Sequence, residues 1–546
     1  MASKTFLRRC SSSSETKISS LFTNSSKVTT TIPQDSIYNV EDGAKLDIFL
    51  LKDCKQGNIS LGDARYFFCL MTHMQPKPPI SSFNRLFGAL AKKKFYKDVI
   101  LLYKRLGSIG LLPDLITLNI LINCFCNVGR VCDGFVVFWR ILRWGFNPDA
   151  VTFNSLIKGL CLENRSMEAT ELFKKMDVFG VRPDIVSYGS IINGLCKDGL
   201  VDMAKELFSE MKSRGIKQNV VVCTSLIYGW CFVGNLEEAE RLFNETVDQG
   251  LQPNLLTYNT MISGFCKEGK MEEANGLMEL MIQRGLQPDV VTFNSMINGH
   301  CKKGNTEEAN ALLELMTQRG LWPNLVTFNT MINGLCKEGK MDKANGLLEL
   351  MSQRGLQPDV VTFTTMINGL CKEGKMEEAN GLLELMSQRG LQPDVVTCTI
   401  MISGLCKEGK IEEAKELLEW MIQRGLQPDV VTFTTMINGL CKEGKMDKAN
   451  GLLEMMSQIG LQPNVVTFNA MINGLCQPNL VTFNTMINGL CKLGKMEEAN
   501  GLFELMNQRS LQPDLVTFNT MINGLSKEGK MEEANGLLEL MSQRDI

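Results

Sequence analysis

The sequence predicts an all-α fold, an α-solenoid of stacked helix-turn-helix units, on three observations. Prolines recur every 35 residues, at Pro113, Pro148, Pro183, Pro253, Pro288, Pro323, Pro358, Pro393, Pro428 and Pro463, with Gln218 in the one skipped place. Each interval carries two apolar stripes of helical period. Each such hairpin has apolar flanks that it cannot bury alone, so neighbouring units must stack. A chain of 546 residues is long enough for about three or four ordinary domains, but the repeat organises it as one array instead.

The interval from Leu325 to Asp359 serves as the type unit. Phe328, Met331, Ile332, Leu335 and Cys336 fall at i, i+3, i+4, i+7 and i+8, one stripe of a first helix that Gly339 breaks. Met341, Ala344, Leu348 and Met351 form the stripe of a second helix, which Gly355 ends and Pro358 prevents from continuing. Asn324 and Asp359, each just ahead of a first helix, suit its N-cap. The other face of the first helix holds Val326, Asn329, Asn333 and Lys337. In one hairpin this would be an ordinary solvated surface. Its lysine returns at Lys92, Lys197, Lys267, Lys302, Lys372, Lys407, Lys442, Lys492 and Lys527, which argues for a ligand-facing track of amides and lysines. Most acids sit on the second helices, so a chain of net charge −3 can still offer anions a positive path.

Composition narrows the chemistry further. With 44% hydrophobic and 21% charged residues the chain is not a disordered tail, and no run approaches the roughly 18 apolar residues of a membrane span. His73 and His300 are the only histidines, too few for a histidine-built zinc site or hydrolase. Most of the 19 cysteines hold one place in the repeat, from Cys126 to Cys491, with no CxxC. They read as small buried side chains in a reducing compartment, and neither metal nor cofactor is expected. Residues 1–31 carry Lys4, Arg8, Arg9, Lys17 and Lys27 against Glu15 alone in a Ser/Thr-rich background, the composition of an organelle transit peptide. Residues 32–79 are expected to hold a helical segment with a degenerate repeat from about Lys45 to Pro79.

The run T-[FY]-N-T-M-I-N-G-L-C-K-E-G-K-M-E-E-A, closed by Q-P-D, resembles the pentatricopeptide repeat, and the resemblance covers Ile80 to Ile546, about 14 units. SSFNRLFGALAKKKFYKDVILLYKRLGSIGLLPD and LNILINCFCNVGR are similar to the opening repeats of plant fertility-restorer-like members of the pure-repeat class. There is no HxE with a downstream CxxC, so an appended zinc deaminase is not expected. The resemblance implies a right-handed α-solenoid superhelix that binds single-stranded RNA, one base per repeat, and is not an enzyme. It implies an organelle RNA as partner, with the mitochondrion as the compartment and the chloroplast as the alternative. It further implies control of the processing, stability or translation of a transcript, with a recruited nuclease or other processing factor as a second partner.

Two reading residues per unit follow from the same resemblance, one after the aromatic and one after the proline. They pair Asn84 with Asp114, Asn119 with Asp149, Asn154 with Asp184, Gly189 with Asn219, Thr224 with Asn254, Asn259 with Asp289, and Asn294 with Asn324. The series continues with Asn329 and Asp359, Thr364 and Asp394, Thr399 and Asp429, Thr434 and Asn464, Asn469 and Asn479, and Asn484 and Asp514. Val326 and its equivalents would sandwich the base. Capping alone would explain Asp or Asn in the second slot but not the variation in the first. The family's pairing rules imply, 5′ to 3′, UUU, an unread base, A, U, C or U, U, G, G, A, a pyrimidine and U. The competing expectation is a protein-binding scaffold of tetratricopeptide type. The period of 35 and the paired polar slots argue against it.

Two places depart from the pattern. Pro463 is followed by Pro478, so the unit at 465–479 lacks its turn and second helix, and a kink or weak joint is expected near Cys476. The last unit, 515–546, ends without a closing proline. Asn519 therefore has no second-slot partner, and Leu537, Leu540 and Met541 are expected to be partly exposed.

Overall fold

A thirteen-residue helix, a short turn and a second thirteen-residue helix form the recurring element, as in Leu325–Lys337 and Met341–Gln353. The first helix starts where the Asn324 side chain accepts the Thr327 backbone N–H, satisfying a donor that the helix itself leaves open. It stops at Gly339, whose φ of 71° suits a residue without Cβ, and Gly355 does the same after the second helix at φ 73°. The computed structural model describes residues 46, 49–56, 59–108, 110–473, 480–492, 494–508 and 511–543. The expected leader at 1–31 lies outside them. Among the described residues no helix is long and apolar enough to cross a membrane.

The chain divides into two compact units, Met1–Pro288 and Asp289–Ile546. In the first, hairpins run from Ile80–Lys92 with Tyr96–Ser108 to Leu255–Lys267 with Met271–Gln283. Leu61–His73 stands 35 residues ahead of Tyr96–Ser108, in the place of a second helix. The segment ahead of it is a π-helical turn, Phe49–Asp53, continued by Cys54–Gln56. One second helix is interrupted: Ser166–Lys175 passes into a 3-10 turn at Asp177–Phe179.

In the second unit, hairpins run from Val290–Lys302 with Thr306–Gln318 to Leu515–Lys527 with Met531–Gln543. One continuous core takes Phe328, Ile332, Met366, Met401, Phe433 and their equivalents through to Phe518. The exception is Val465–Asn473, which is followed directly by the first helix Leu480–Lys492. The joint expected at Cys476 falls in residues 474–479, outside those described. Leu537, Leu540 and Met541 are half-buried against the end of the core.

What sets the spacing of the first helices is a glycine facing a cysteine. A Cβ added to Gly159 would lie 2.7 Å from Cys126 Cβ in the first unit, and one on Gly439 would lie 2.7 Å from Cys406 Cβ in the second. Neither partner atom is a flexible tip, so the backbones approach closely only because the later residue is glycine. Gly194, Gly229, Gly264, Gly334, Gly369, Gly404 and Gly524 repeat the arrangement with the cysteine of the preceding unit. The first such place reverses the sizes, with Ala91 at the cysteine position and buried Cys124 at the glycine position. At the shortened unit Phe468 takes the cysteine's role, its Cζ 2.5 Å from a Cβ built on Gly489.

A second tie joins the backs of the hairpins. Thr306 donates its backbone N–H to Glu338 Oε1 at 3.1 Å and its hydroxyl to Oε2 at 2.7 Å, so the turn of this repeat caps the second helix before it. Glu163 serves Val131 in the same way at 2.9 Å.

Gly439→Ala should therefore lower stability by about 1–3 kcal/mol, the range for overpacking a core. Cys406→Gly, which removes the opposing Cβ, should recover part of the loss in the same chain, read as a coupling in a double-mutant cycle on denaturation midpoints. Strictly additive effects of the two changes would contradict the close-approach account.

Candidate nucleic-acid interface

The residue after each buried aromatic and the residue after the next proline meet in space because the N-cap of one first helix abuts the preceding first helix. Asn329 donates Nδ2–H to Asp359 Oδ1 at 3.2 Å, across 30 residues of sequence. Asn84 reaches Asp114 at 2.9 Å, Asn119 reaches Asp149 at 3.0 Å, and Asn154 reaches Asp184 at 3.3 Å. Asn484 reaches Asp514 at 2.9 Å, and Asn294 reaches Asn324 at 3.5 Å.

A third residue joins most of these pairs, and sequence reasoning missed it. It is the threonine at the third helical position, buried wherever its side chain is described. The Thr362 hydroxyl lies 2.7 Å from Asn329 Oδ1 and 2.9 Å from Asp359 Oδ1, and it accepts the Asp359 backbone N–H at 3.2 Å. Its single proton is shared between two acceptors on the two reading residues. The amide of Asn329 is thereby oriented, with oxygen toward Thr362 and nitrogen toward Asp359. Thr117, Thr152 and Thr327 do the same for Asn84, Asn119 and Asn294. Where Ser187 replaces threonine, its hydroxyl serves Asp184 alone, and Asn154 Oδ1 is left buried without a partner. The signal available in the sequence was the threonine three residues after each cap, a capping-box spacing.

Pairs with threonine in the first slot are joined only through this third residue. Thr364 Oγ1 lies 2.7 Å from Thr397 Oγ1, and Thr397 in turn reaches Asp394 Oδ1 at 2.8 Å. Thr399 meets Thr432, which bonds Asp429, and Thr434 meets Thr467, which bonds Asn464. In the first unit Thr224 meets Thr257, which bonds Asn254. Asn259 is buried in the first unit, and Asp289 caps its own helix in the second. Asn219 caps its helix through the Val222 N–H, with Gly189 opposite supplying no side chain. Asn479 lies outside the described residues.

The electrostatics favour ionised carboxylates in the second slot. Partial burial acts to raise the Asp359 carboxyl. Hydrogen bonds from the Thr362 backbone and hydroxyl and from the Asn329 amide outweigh it and hold the group below the usual carboxylate range. Asp114, Asp184 and Asp514 are lowered by the same balance. Along the same face runs an exposed aliphatic ladder: Ile116, Val151, Val186, Val221 and Leu256 in the first unit, and Val291, Val326, Val361, Val396, Val431, Val466 and Val516 in the second. Val326 is 58% exposed, and every member is more than half exposed. Single exposed aliphatics need no explanation, but a row at fixed period does. Lys92, Lys197, Lys267, Lys302, Lys337, Lys372, Lys407, Lys442 and Lys527 are exposed as well. The cysteine ladder is different: burial pushes the Cys196 and Cys231 thiols up to about 12, so they are packing groups and not nucleophiles.

The profile of the PPR repeat family matches residues 113–162, 148–197, 183–221, 218–267, 253–302, 288–337, 323–372, 358–407, 393–442, 428–477, 478–527 and 513–546. A pentatricopeptide repeat-containing protein of Arabidopsis thaliana, named as mitochondrial, is 38% identical over 86 residues, 16% of this chain and 14% of the relative. A second from the same plant, named without a compartment, is 45% identical over 73 residues, 13% of this chain and 14% of the relative. The match thus spans about one-seventh of the length of each of these curated relatives. Among solved structures, the pentatricopeptide repeat protein PPR10 from maize aligns with 22% identity and a TM-score of 0.49, covering 92% of this chain and 84% of that one.

Thr362→Val should destabilise the protein by about 1–3 kcal/mol, because it leaves the Asn329 oxygen and the Asp359 N–H without their partner. Thr362→Ser should cost less, and denaturation midpoints compare the two. Equal tolerance of valine and serine would contradict the shared-proton arrangement.

Proposed function

Since the chain belongs to the pentatricopeptide repeat family, we propose that it binds single-stranded RNA in sequence, one base to each pair of slot residues. The observation that carries this reading is the Asn329–Thr362–Asp359 type of arrangement. It orients two polar side chains beside an exposed aliphatic residue and repeats the set with varied identities along one face. One amide N–H and the second carboxylate oxygen remain to meet a base edge.

The second slot then selects by proton direction. Aspartate accepts the ring N–H of uracil or guanine, whereas asparagine can donate to the bare ring nitrogen of cytosine or adenine. The first slot selects by size as well as polarity, because threonine is shorter than asparagine and leaves the room a purine needs. Val326 and its equivalents supply flat apolar contact to the base, and the exposed lysines neutralise phosphates. The protein's part is binding. A transcript held in this way would be shielded from nucleases, kept unfolded for translation, or presented to a recruited processing enzyme. The leader-like composition of residues 1–31 and a relative named as mitochondrial support an organelle, and within that the mitochondrion, as the place of action.

Thr364→Asn is expected to change the base preferred opposite that unit from G to U, with a swing of about 1–3 kcal/mol, the range for one base contact. Titration of the full chain with two thirteen-nucleotide RNAs that differ only at the ninth base measures it. An unchanged preference for G would overturn the pairing.

A further inference from the structure

One first helix, Val220–Phe232, departs from the others in three linked ways. The first-slot place ahead of it is Gly189, which has no side chain to offer. The third helical residue, a hydroxyl-bearing residue in every neighbouring helix, is Val222, so the Asn219 side chain accepts its backbone N–H at 2.9 Å and meets no side-chain hydroxyl there. The hydrogen-bonded device that orients a reading pair is therefore missing at this joint. On the face where other units place residues such as Asn193 and Lys197, or Asn333 and Lys337, this helix carries Tyr228 and Phe232.

Both rings face water, Tyr228 at 39% and Phe232 at 47% exposure. They stack on each other with centroids 6.1 Å apart and planes inclined by 22°. At helical rise they stand about 6 and 12 Å along the axis from Thr224. The Lys267 ammonium lies 5.5 Å from the Phe232 ring centroid and donates to the Phe232 carbonyl at 2.9 Å. Lys197, exposed, holds the equivalent place on the preceding helix. An aromatic step flanked by cations complements a planar base on an anionic backbone.

We propose that this helix is a stacking platform. The nucleotide opposite Gly189 and Asn219 is held by the face of its base against Tyr228 and Phe232, whatever that base is, and not by its edge. Every nucleobase has a π face, so such a contact grips without selecting. The platform rests on the RNA reading above and deepens it. The chain would recognise UUU, pass over one base of any identity without losing register, and resume at the A of the Thr224/Asn254 pair.

The test uses the full chain and a matched thirteen-nucleotide RNA whose fourth position is A, C, G, U or an abasic ribose, with a scrambled RNA as reference. The four bases should bind within about two-fold of one another, and the abasic RNA about ten-fold more weakly, as loss of a stacked base predicts. The Tyr228→Leu/Phe232→Leu chain, with unchanged helical circular dichroism, should bind the abasic and base-bearing RNAs alike. If the wild-type chain binds abasic and base-bearing RNA equally, or prefers one base by about ten-fold, while still rejecting the scrambled RNA, the platform alone is overturned. If matched and scrambled RNA are held equally, the pairing itself fails and the platform falls with it.

Discussion

The arrangement depends on how closely successive first helices approach. Cys406 meets Gly439 across 33 residues, and Asn329 meets Thr362 across the same offset. The packing contact and the polar contact are thus two readings of one helix-to-helix register. They lie seven residues apart on the first helix, two turns along a shared seam. An asparagine side chain is short. It touches a cap on the next helix only if the backbones are near, and they are near because one partner in the seam is small, glycine in most repeats and Ala91 opposite Cys124 at the first. A larger residue there would part the helices and with them the slots.

That proximity also explains how polar groups sit deep in the stack without penalty. Thr327, Thr362, Thr397 and Thr432 are fully buried, yet each hydroxyl serves the cap of its own helix and the slot of the helix before. The second-slot residue is cap and candidate reader at once. Either Asp or Asn meets the structural demand, which leaves their difference in donor and acceptor character free to carry information. A site built this way varies in recognition without varying in fold.

Much of this was legible in the sequence, and what was missed shares one cause. Proline and glycine punctuation, the stripe of Phe328, Met331, Ile332 and Leu335, and the caps Asn324 and Asp359 are local signals, and the structure follows them. The slot residues were placed by family resemblance; pairs such as Asn329 and Asp359 come together directly, Thr-led pairs through a third residue, and Gly189 with Asn219 does not. The roles of Gly334 and Thr327 were not read, because each is defined by a partner 33 residues or so away that no local period reveals. Glu338 was not singled out either, and it caps the preceding second helix. Tyr228 and Phe232 were visible as letters, but their mutual stacking and exposure were not.

The most direct measurement is selection by the full chain from a random-sequence RNA pool, with the retained molecules sequenced. The account predicts one ungapped motif in which a uridine run leads, a base-indifferent position follows, and a G-G-A block stands downstream at constant distance. Enrichment without fixed order or spacing, or of structured duplex RNA, would contradict it.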